Sequence, residues 1–510
     1  MTEVRVHREV ERKLRVPAVF DLPDFVSSGV AAHAEVGAPF TMTAIYHDTD
    51  DLALFRWGVT LRRREGGHDE GWHMKLPVAG ADGSARDELR VPLSAIGAVP
   101  PALVEIVSPL LRQRPVLAQV ELSTERTPIV LTDAAGKELV EVVDDTVTVH
   151  HGGRLAARFR EVEVEALDPD DPASLATVDA VVAELIARGA EPTTVSKAAS
   201  ALGSRTQAPP DVPAWPAPQP SDLAVDAIRA VLAQHVRHLL MADVAVRRDL
   251  PDSVHQMRVA ARRLRSALAT FGPLLREDDA LWLREELAWL ASELGAIRDT
   301  EVMKERLDEH AALLAQDTDT ARVRAVIDPV LTARLDSARS SALAALRSDR
   351  HATLIDDLVS AAIDPPVTDA AFAPCSRVLL PHVARTWRRL RRCVSELTLT
   401  SPSTDWHRAR IIAKRARYAA DAVAGIFGDT MVDYAQTLAE VTDILGDHQD
   451  AHVAQGILRE LATHPDIDGA TGMALGLLYE VEGDEELLDR VRFRELWPHV
   501  RRAARRAGVA

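Results

Sequence analysis

Cysteine is nearly absent: Cys375 and Cys393 are the only two in 510 residues. That excludes a disulfide scaffold and a cysteine-based zinc cluster, and it fits a reducing compartment. Long apolar runs are also missing, since no stretch approaches the roughly 18 residues that a membrane-spanning helix needs. The first sixteen residues, Met1 to Val16, are dense in charge and read as neither a signal peptide nor a span. The expectation is a soluble, cytoplasmic protein. Positive charge is in deficit, with 77 acidic against 60 basic side chains and a net charge of −17. General nucleic-acid binding needs the opposite surplus. Neither a Gly-x4-Gly-Lys-Ser/Thr phosphate loop nor a Gly-x-Ser-x-Gly nucleophile elbow occurs, so neither of those mechanisms is supported. Lysine is the scarcest charge of all, at six positions (13, 75, 137, 197, 304 and 414) against 54 arginines. Where Arg is the default cation, a retained Lys suggests a need for a compact, movable ammonium.

What is present divides in two. Hydrophobic residues make up 47% of the chain, enough to bury real cores, and the length suggests about three domains. Thr206 to Asp222 carries six prolines between Pro209 and Pro220 and reads as a stiff, extended linker. Before it, short alternating segments predict a β-rich domain over 1–205; after it, Ala- and Leu-rich periodicity predicts an all-α domain over 223–505. That helical half repeats itself. His255-x-x-Arg258-x-x-x-Arg262-Arg263-x-Arg265 returns 152 residues later as His407-x-x-Arg410-x-x-x-Lys414-Arg415-x-Arg417. Leu294-Gly295 and Asp299 return as Leu445-Gly446 and Asp450, one residue short of the same offset. Two echoes at nearly one offset predict duplicated helical bundles, about 223–364 and 374–505, with the proline-containing break near 370 between them.

In the first domain the alternation sorts charge by face. Val4 to Val16 places valines and leucine on one side and Glu9, Glu11 and Lys13 on the other. Phe159 to Ala166 does the same for Glu161, Glu163 and Glu165, and Thr60 to Arg64 for Arg62 and Arg64; Val140 to Val149 carries Glu141, Asp144 and Asp145. Acidic and basic strands in one small domain suggest charged faces that meet, as in a closed antiparallel barrel with a polar lumen and helices such as 174–188 outside. Such a lumen suits a metal–polyphosphate ligand, with carboxylates for Mg²⁺ or Mn²⁺ and cations for phosphate oxygens.

These segments resemble the CYTH superfamily, the triphosphate tunnel metalloenzymes. The resemblance rests on Glu9-x-Glu11-x-Lys13, Tyr46-His-Asp48-Thr49, Leu61-Arg62-Arg63-Arg64, Trp72-His-Met-Lys75, Arg126, Glu161-x-Glu163-x-Glu165 and Ser196-Lys197, in that order across residues 1–205. It implies that Lys13, Arg62, Arg64, Lys75, Arg126 and Lys197 bind a triphosphate. It further implies that Glu9, Glu11 and Glu163 hold a divalent metal, Mg²⁺ or Mn²⁺. Glu161 and Asp144 would hold a second metal or position the attacking water, which makes Glu161 and Glu163 the catalytic carboxylates. Strand phase alone separates Asp144 from Asp145. The implied reaction is hydrolysis of inorganic triphosphate; thiamine triphosphate hydrolysis, cyclisation of ATP, or non-catalytic polyphosphate binding are the alternatives.

On the helices, His255, Arg258, Arg262 and Arg265 fall within about 80° of arc, one cationic stripe, and His407, Arg410, Lys414 and Arg417 form its copy. His382 and Arg385 open a third basic segment. Stacked like charges repel by a few tenths of a kcal/mol per pair, so the stripes ask for a polyanion or for carboxylates within the chain. The repeats resemble the CHAD domain over about 221–505, which implies binding of inorganic polyphosphate at these positions, with Arg263 and Arg415 beside them. Metal binding at His448 and His452 is the weaker idea. Membrane and specific nucleic-acid partners are not expected. The fold expected is thus multidomain α+β, an N-terminal antiparallel β-barrel tunnel followed by two helical bundles.

Overall fold

The computed structural model describes residues 11–67, 69–78, 86–93, 97–314 and 317–510. Glu9 lies outside the described residues. The chain separates into two compact units, residues 1–211 and 212–510.

The first unit is an antiparallel sheet with helices: β1 (Glu11–Val16), β2 (His33–Val36), β3 (Phe40–Asp48), α1 (Ala53–Arg56), β4 (Thr60–Glu65), β5 (Gly71–Pro77), β6 (Arg86–Val91), α2 (Pro101–Leu111), β7 (Leu117–Thr132), β8 (Glu138–His151), β9 (Arg154–Ala166), α3 (Pro172–Ala187), β10 (Glu191–Pro192) and α4 (Lys197–Leu202). The strand order is β10-β1-β9-β8-β7-β3-β4-β5-β6, with β2 beside β7. This corrects the expected closed barrel. Among the described residues β6 has no ladder to β1, and β10 occupies the outer edge of β1 at Leu14 and Arg15, where a closing strand would pair.

Alternation explains which face is dry. Leu14, Val162, Val164, Val142 and Leu131 are fully buried on one face, under Val178, Val181 and Leu185 of α3. Asp171 caps that helix, accepting from the Ala173 and Ser174 amides, with Pro172 at its first position. On the opposite face, apolar Leu122, Val147 and Val149 join Leu52 and Leu202 in a second small core. Much of the rest of that face is charged.

The second unit is helical: α5 (Ala224–Arg247), α6 (Ser253–Thr270), α7 (Glu277–Glu293), α8 (Gly295–Ala311), α9 (Asp317–Leu346), α10 (Asp349–Ile363), α11 (Cys375–Ser395), α12 (Ser403–Phe427), α13 (Asp429–Ala462) and α14 (Gly469–Arg506). The repeated motifs occupy α6 and α12, and those two helices pack against each other. Both cysteines are free and buried in α11. Among the described residues, no helix is long and apolar enough to cross a membrane.

Candidate functional site

Strand register decides which side chains share the charged face. Lys13 pairs with Glu163, Arg15 with Glu161 and Glu11 with Glu165 across β1 and β9. Across β8 and β9, Glu161 meets Asp145 and Glu165 meets Glu141; across β7 and β8, Arg126 meets Asp145. On the far side Tyr46 pairs with Arg62 and Arg62 with His73, while Lys75 pairs with Glu88. Residues directly opposite in an antiparallel ladder lie on one face, so these charges form a continuous surface.

At its centre is a dense ion network. Lys197, the first residue of α4, is aimed by Ser196, whose hydroxyl caps the helix through the Ala199 amide. Its Nζ lies 2.8 Å from Asp145, 2.9 Å from Glu161 and 2.7 Å from Glu163. Lys13 Nζ is 2.7 Å from Glu11 and 3.2 Å from Glu163. Arg126 donates Nε and Nη2 to the two oxygens of Asp145, at 2.8 and 2.6 Å, and reaches Glu163 at 3.0 Å. Burial alone would lower Lys13 and Lys197, but Glu163, with Glu11 or Asp145 beside it, raises both above their ordinary range. Burial would raise Glu163; Lys197, Lys13 and Arg126 instead hold it well below the usual carboxylate range. Glu161 differs: burial pushes its carboxyl up against the pull of Lys197.

A second cluster covers β3 to β6. Glu88, 2% exposed, takes hydrogen bonds from His73 at 3.0 Å and from Arg90 at 2.6 and 2.8 Å, with Arg62 at 3.6 Å. Burial would raise it; His73, Lys75 and Arg62 push it strongly down. Arg64 pairs with Asp69, and Tyr46 lies beside Arg62, Arg64 and Lys197, which lower its phenol despite burial. Glu88 and His73 were not singled out in the sequence. The alternation of Arg86 to Val91 carries the signal for Glu88, although a single short strand of mixed charge reads as solvated.

Lys13, Arg62, Arg64, Lys75, Arg126 and Lys197 thus share one face with Glu11, Glu161 and Glu163. Asp144 does not, and this is a correction. It pairs with Thr127 and Val162, on the opposite face, where Arg160 grips it at 2.8 and 2.7 Å. Asp145, one residue on, stands in the acidic row.

An all-oxygen carboxylate set suits a hard divalent cation. Glu161 stands out in that row: it is fully buried, and Oε2 accepts no hydrogen bond. Such an orphaned oxygen is costly unless something pairs with it. Among the described residues no three acidic, His or Cys side chains are already gathered about one point. The carboxylates are instead shared among lysines and Arg126.

The helical stripes meet where α6 packs on α12. Arg258 bonds the Gly295 carbonyl at 2.9 Å and Asp299 at 3.0 Å; Arg417 bonds Thr442 at 2.7 Å; His407 bonds Gln449 at 2.5 Å. Arg262, Arg410 and Lys414 form no ion pair or hydrogen bond among the described residues. Burial, Arg410 and Arg262 push the Lys414 ammonium down to about 7, against the opposing pull of Asp450. His255 is lowered by burial and, among its neighbours, by Arg298, Arg262 and Arg258. Arg265 on α6 has Arg284 and Arg415 as its cationic neighbours. Arg263 faces His235 and His238. On α11 the charge acting on His382 is that of Arg385. His448 and His452 approach Glu486 at 3.3 and 3.7 Å, and Arg490 fills the same place.

Comparison with known proteins gives a consistent picture. A CYTH domain matches residues 7–193 and a CHAD domain residues 230–459. An uncharacterized protein of Mycobacterium tuberculosis is 33% identical over 507 residues, covering 95% of this chain and 94% of its own. Among solved structures, PptA from Streptomyces chartreusis is 28% identical, covering 55% of this chain and 100% of its own, with a TM-score of 0.48. The CHAD domain from the plant Ricinus communis is 27% identical, covering 55% and 94%, with a TM-score of 0.44. CYTH domains are those of the triphosphate tunnel metalloenzymes, which use divalent metal ions and act on phosphoanhydrides, and CHAD domains are associated with polyphosphate. The chain belongs to this two-domain family, a CYTH domain followed by a CHAD domain.

Proposed function

We propose that the sheet domain hydrolyses inorganic triphosphate and that the helical domain binds inorganic polyphosphate. The observation that carries the first part is the single face on which Lys13, Lys197, Arg126, Arg62, Arg64 and Lys75 stand beside Glu11, Asp145, Glu161 and Glu163. Six cations are more than a monophosphate can use, and the interleaved carboxylates would repel a bare polyanion. A triphosphate accompanied by divalent metal matches both signs at once. Glu11 and Glu163 would hold Mg²⁺ or Mn²⁺, which when bound supplies charge neutralisation at the phosphoryl oxygens. Lys13, Lys197 and Arg126, released from those carboxylates, turn to the phosphate oxygens and fix the chain in line for attack. Water adds to the terminal phosphorus, the bridging P–O bond breaks, and phosphate and pyrophosphate leave. Glu161, whose carboxyl burial pushes up while Glu163 is held down, takes the water's proton.

The helical reading is supported by the three unpaired cations, Arg262, Arg410 and Lys414. Phosphate release from the purified full chain with Mg²⁺ is the test, run on triphosphate, thiamine triphosphate, ATP and polyphosphate. Triphosphate is expected to be fastest; equal rates on ATP would overturn the substrate assignment.

A further inference from the structure

The helical domain contains a cavity of about 470 Å³ whose lining does not include the stripe residues. Part of its lining is the proline-rich stretch around Trp215 and Pro218; the rest comes from α5, α6 and α12 through His235, Arg263, Tyr418 and Asp421. Two contacts hold the stretch there. Arg237 Nη1 donates to the Val212 carbonyl at 2.6 Å, and the Arg229 guanidinium lies 5.2 Å from the centre of the Trp215 ring.

The polar groups are few and distinct. Arg263 lies about 100° around α6 from Arg262, off the stripe. It makes no ion pair or hydrogen bond among the described residues. Asp421 faces Arg417 Nε at 3.7 Å, and the Arg263 charge also acts on its carboxyl. His235 is held neutral by burial, with Arg263 and His238 adding to the effect, down to about 4. The cavity therefore offers one free guanidinium, one carboxylate acceptor, a neutral imidazole and two aromatic rings within apolar walls, a size and make-up suited to a small organic ligand.

We propose that this cavity binds a nucleoside monophosphate, with its phosphate on Arg263, its base against Trp215 and a base N–H donated to Asp421. A single free Arg matches one phosphate through its two-pronged donor face. A polyphosphate chain would bring further charges beyond the one phosphate that Arg263 can take. An indole face attracts any planar base.

The test is calorimetric titration of the full chain with AMP, GMP and inorganic phosphate in EDTA, where the sheet domain, whose ligand entry needs a cation, takes up no anion. Saturable nucleotide binding, at least tenfold tighter than phosphate, is expected. Arg263→Gln should weaken it about tenfold or more, the range for a charge-assisted hydrogen bond. Trp215→Ala, at a half-exposed position, should weaken it as well. Absence of saturation, equal affinity for inorganic phosphate, displacement by triphosphate, or unchanged affinity in both variants would overturn the proposal.

Discussion

The two domains treat their cations in opposite ways. On the sheet, Lys13, Lys197 and Arg126 each touch two or more carboxylates, and the network is neutralised from within. Where α6 meets α12, Arg262, Arg410 and Lys414 have no such partners among the described residues. The difference teaches what each site can accept. A neutralised network admits an anion only if something else takes its carboxylates, so ligand entry is tied to a cation. An unneutralised cluster attracts a bare polyanion directly, and its affinity follows salt and pH.

The largest expected effect lies on the sheet. Glu161→Gln keeps shape and removes the base, so phosphate release from triphosphate should fall at least ~100-fold. Full activity in that variant would dissolve the contrast, because the acidic row would then be structural. Chelation with EDTA should next separate the domains: triphosphate hydrolysis stops, while polyphosphate binding to the same preparation, followed by filter retention, persists. Loss of both would show that the helical site also depends on metal.

In the helical domain, changing Arg262 and Arg410 together to Ala should weaken polyphosphate binding by more than ~10-fold and flatten its dependence on salt. An unaltered salt slope would place the polyanion elsewhere. Acidity then sharpens the contrast. Free Lys414 loses its proton as pH rises through about 7, whereas a bound polyanion favours its charged form. Binding above neutrality must therefore take up a proton, and affinity should fall between pH 6 and 9. The sign is opposite for the fold: the depressed ammonium costs stability below pH 7, and that cost fades as pH rises toward the ordinary Lys value. Lys414→Arg should bind with less pH dependence over that range; an unchanged profile would remove Lys414 from the site.

The smallest effect tests the two faces of β8. Asp144→Asn should leave the rate of phosphate release within about twofold and cost roughly 1 kcal/mol of stability, since it breaks a surface-proximal pair with Arg160. Asp145→Asn should lower the rate markedly, because Arg126 and Lys197 both lean on that carboxylate.

Much of this was legible in the chain. Alternation in Val4 to Val16 and Phe159 to Ala166 sorted valines from glutamates before any pairing was known, because a strand's side chains alternate covalently. The paired motifs beginning at His255 and His407 announced the duplication. The scarcity of lysine pointed at useful positions, since Lys13, Lys75 and Lys197 stand on the charged face and Lys414 in the cationic cluster.

Other features depended on residues far apart in the chain. Asp144 and Asp145 are adjacent, and local pattern could not choose between them; only the register of β8 against Arg126 and Glu161 assigned one to each face. The edge of β1 was occupied by β10, arriving some 180 residues later, and this left the sheet open where a closed barrel was expected. The sequence by itself determined which side chains share a face within each strand and helix, because backbone geometry fixes that locally. Which cations are matched by carboxylates and which stand unmatched was decided only by tertiary structure, because Coulomb energy depends on through-space distance between segments.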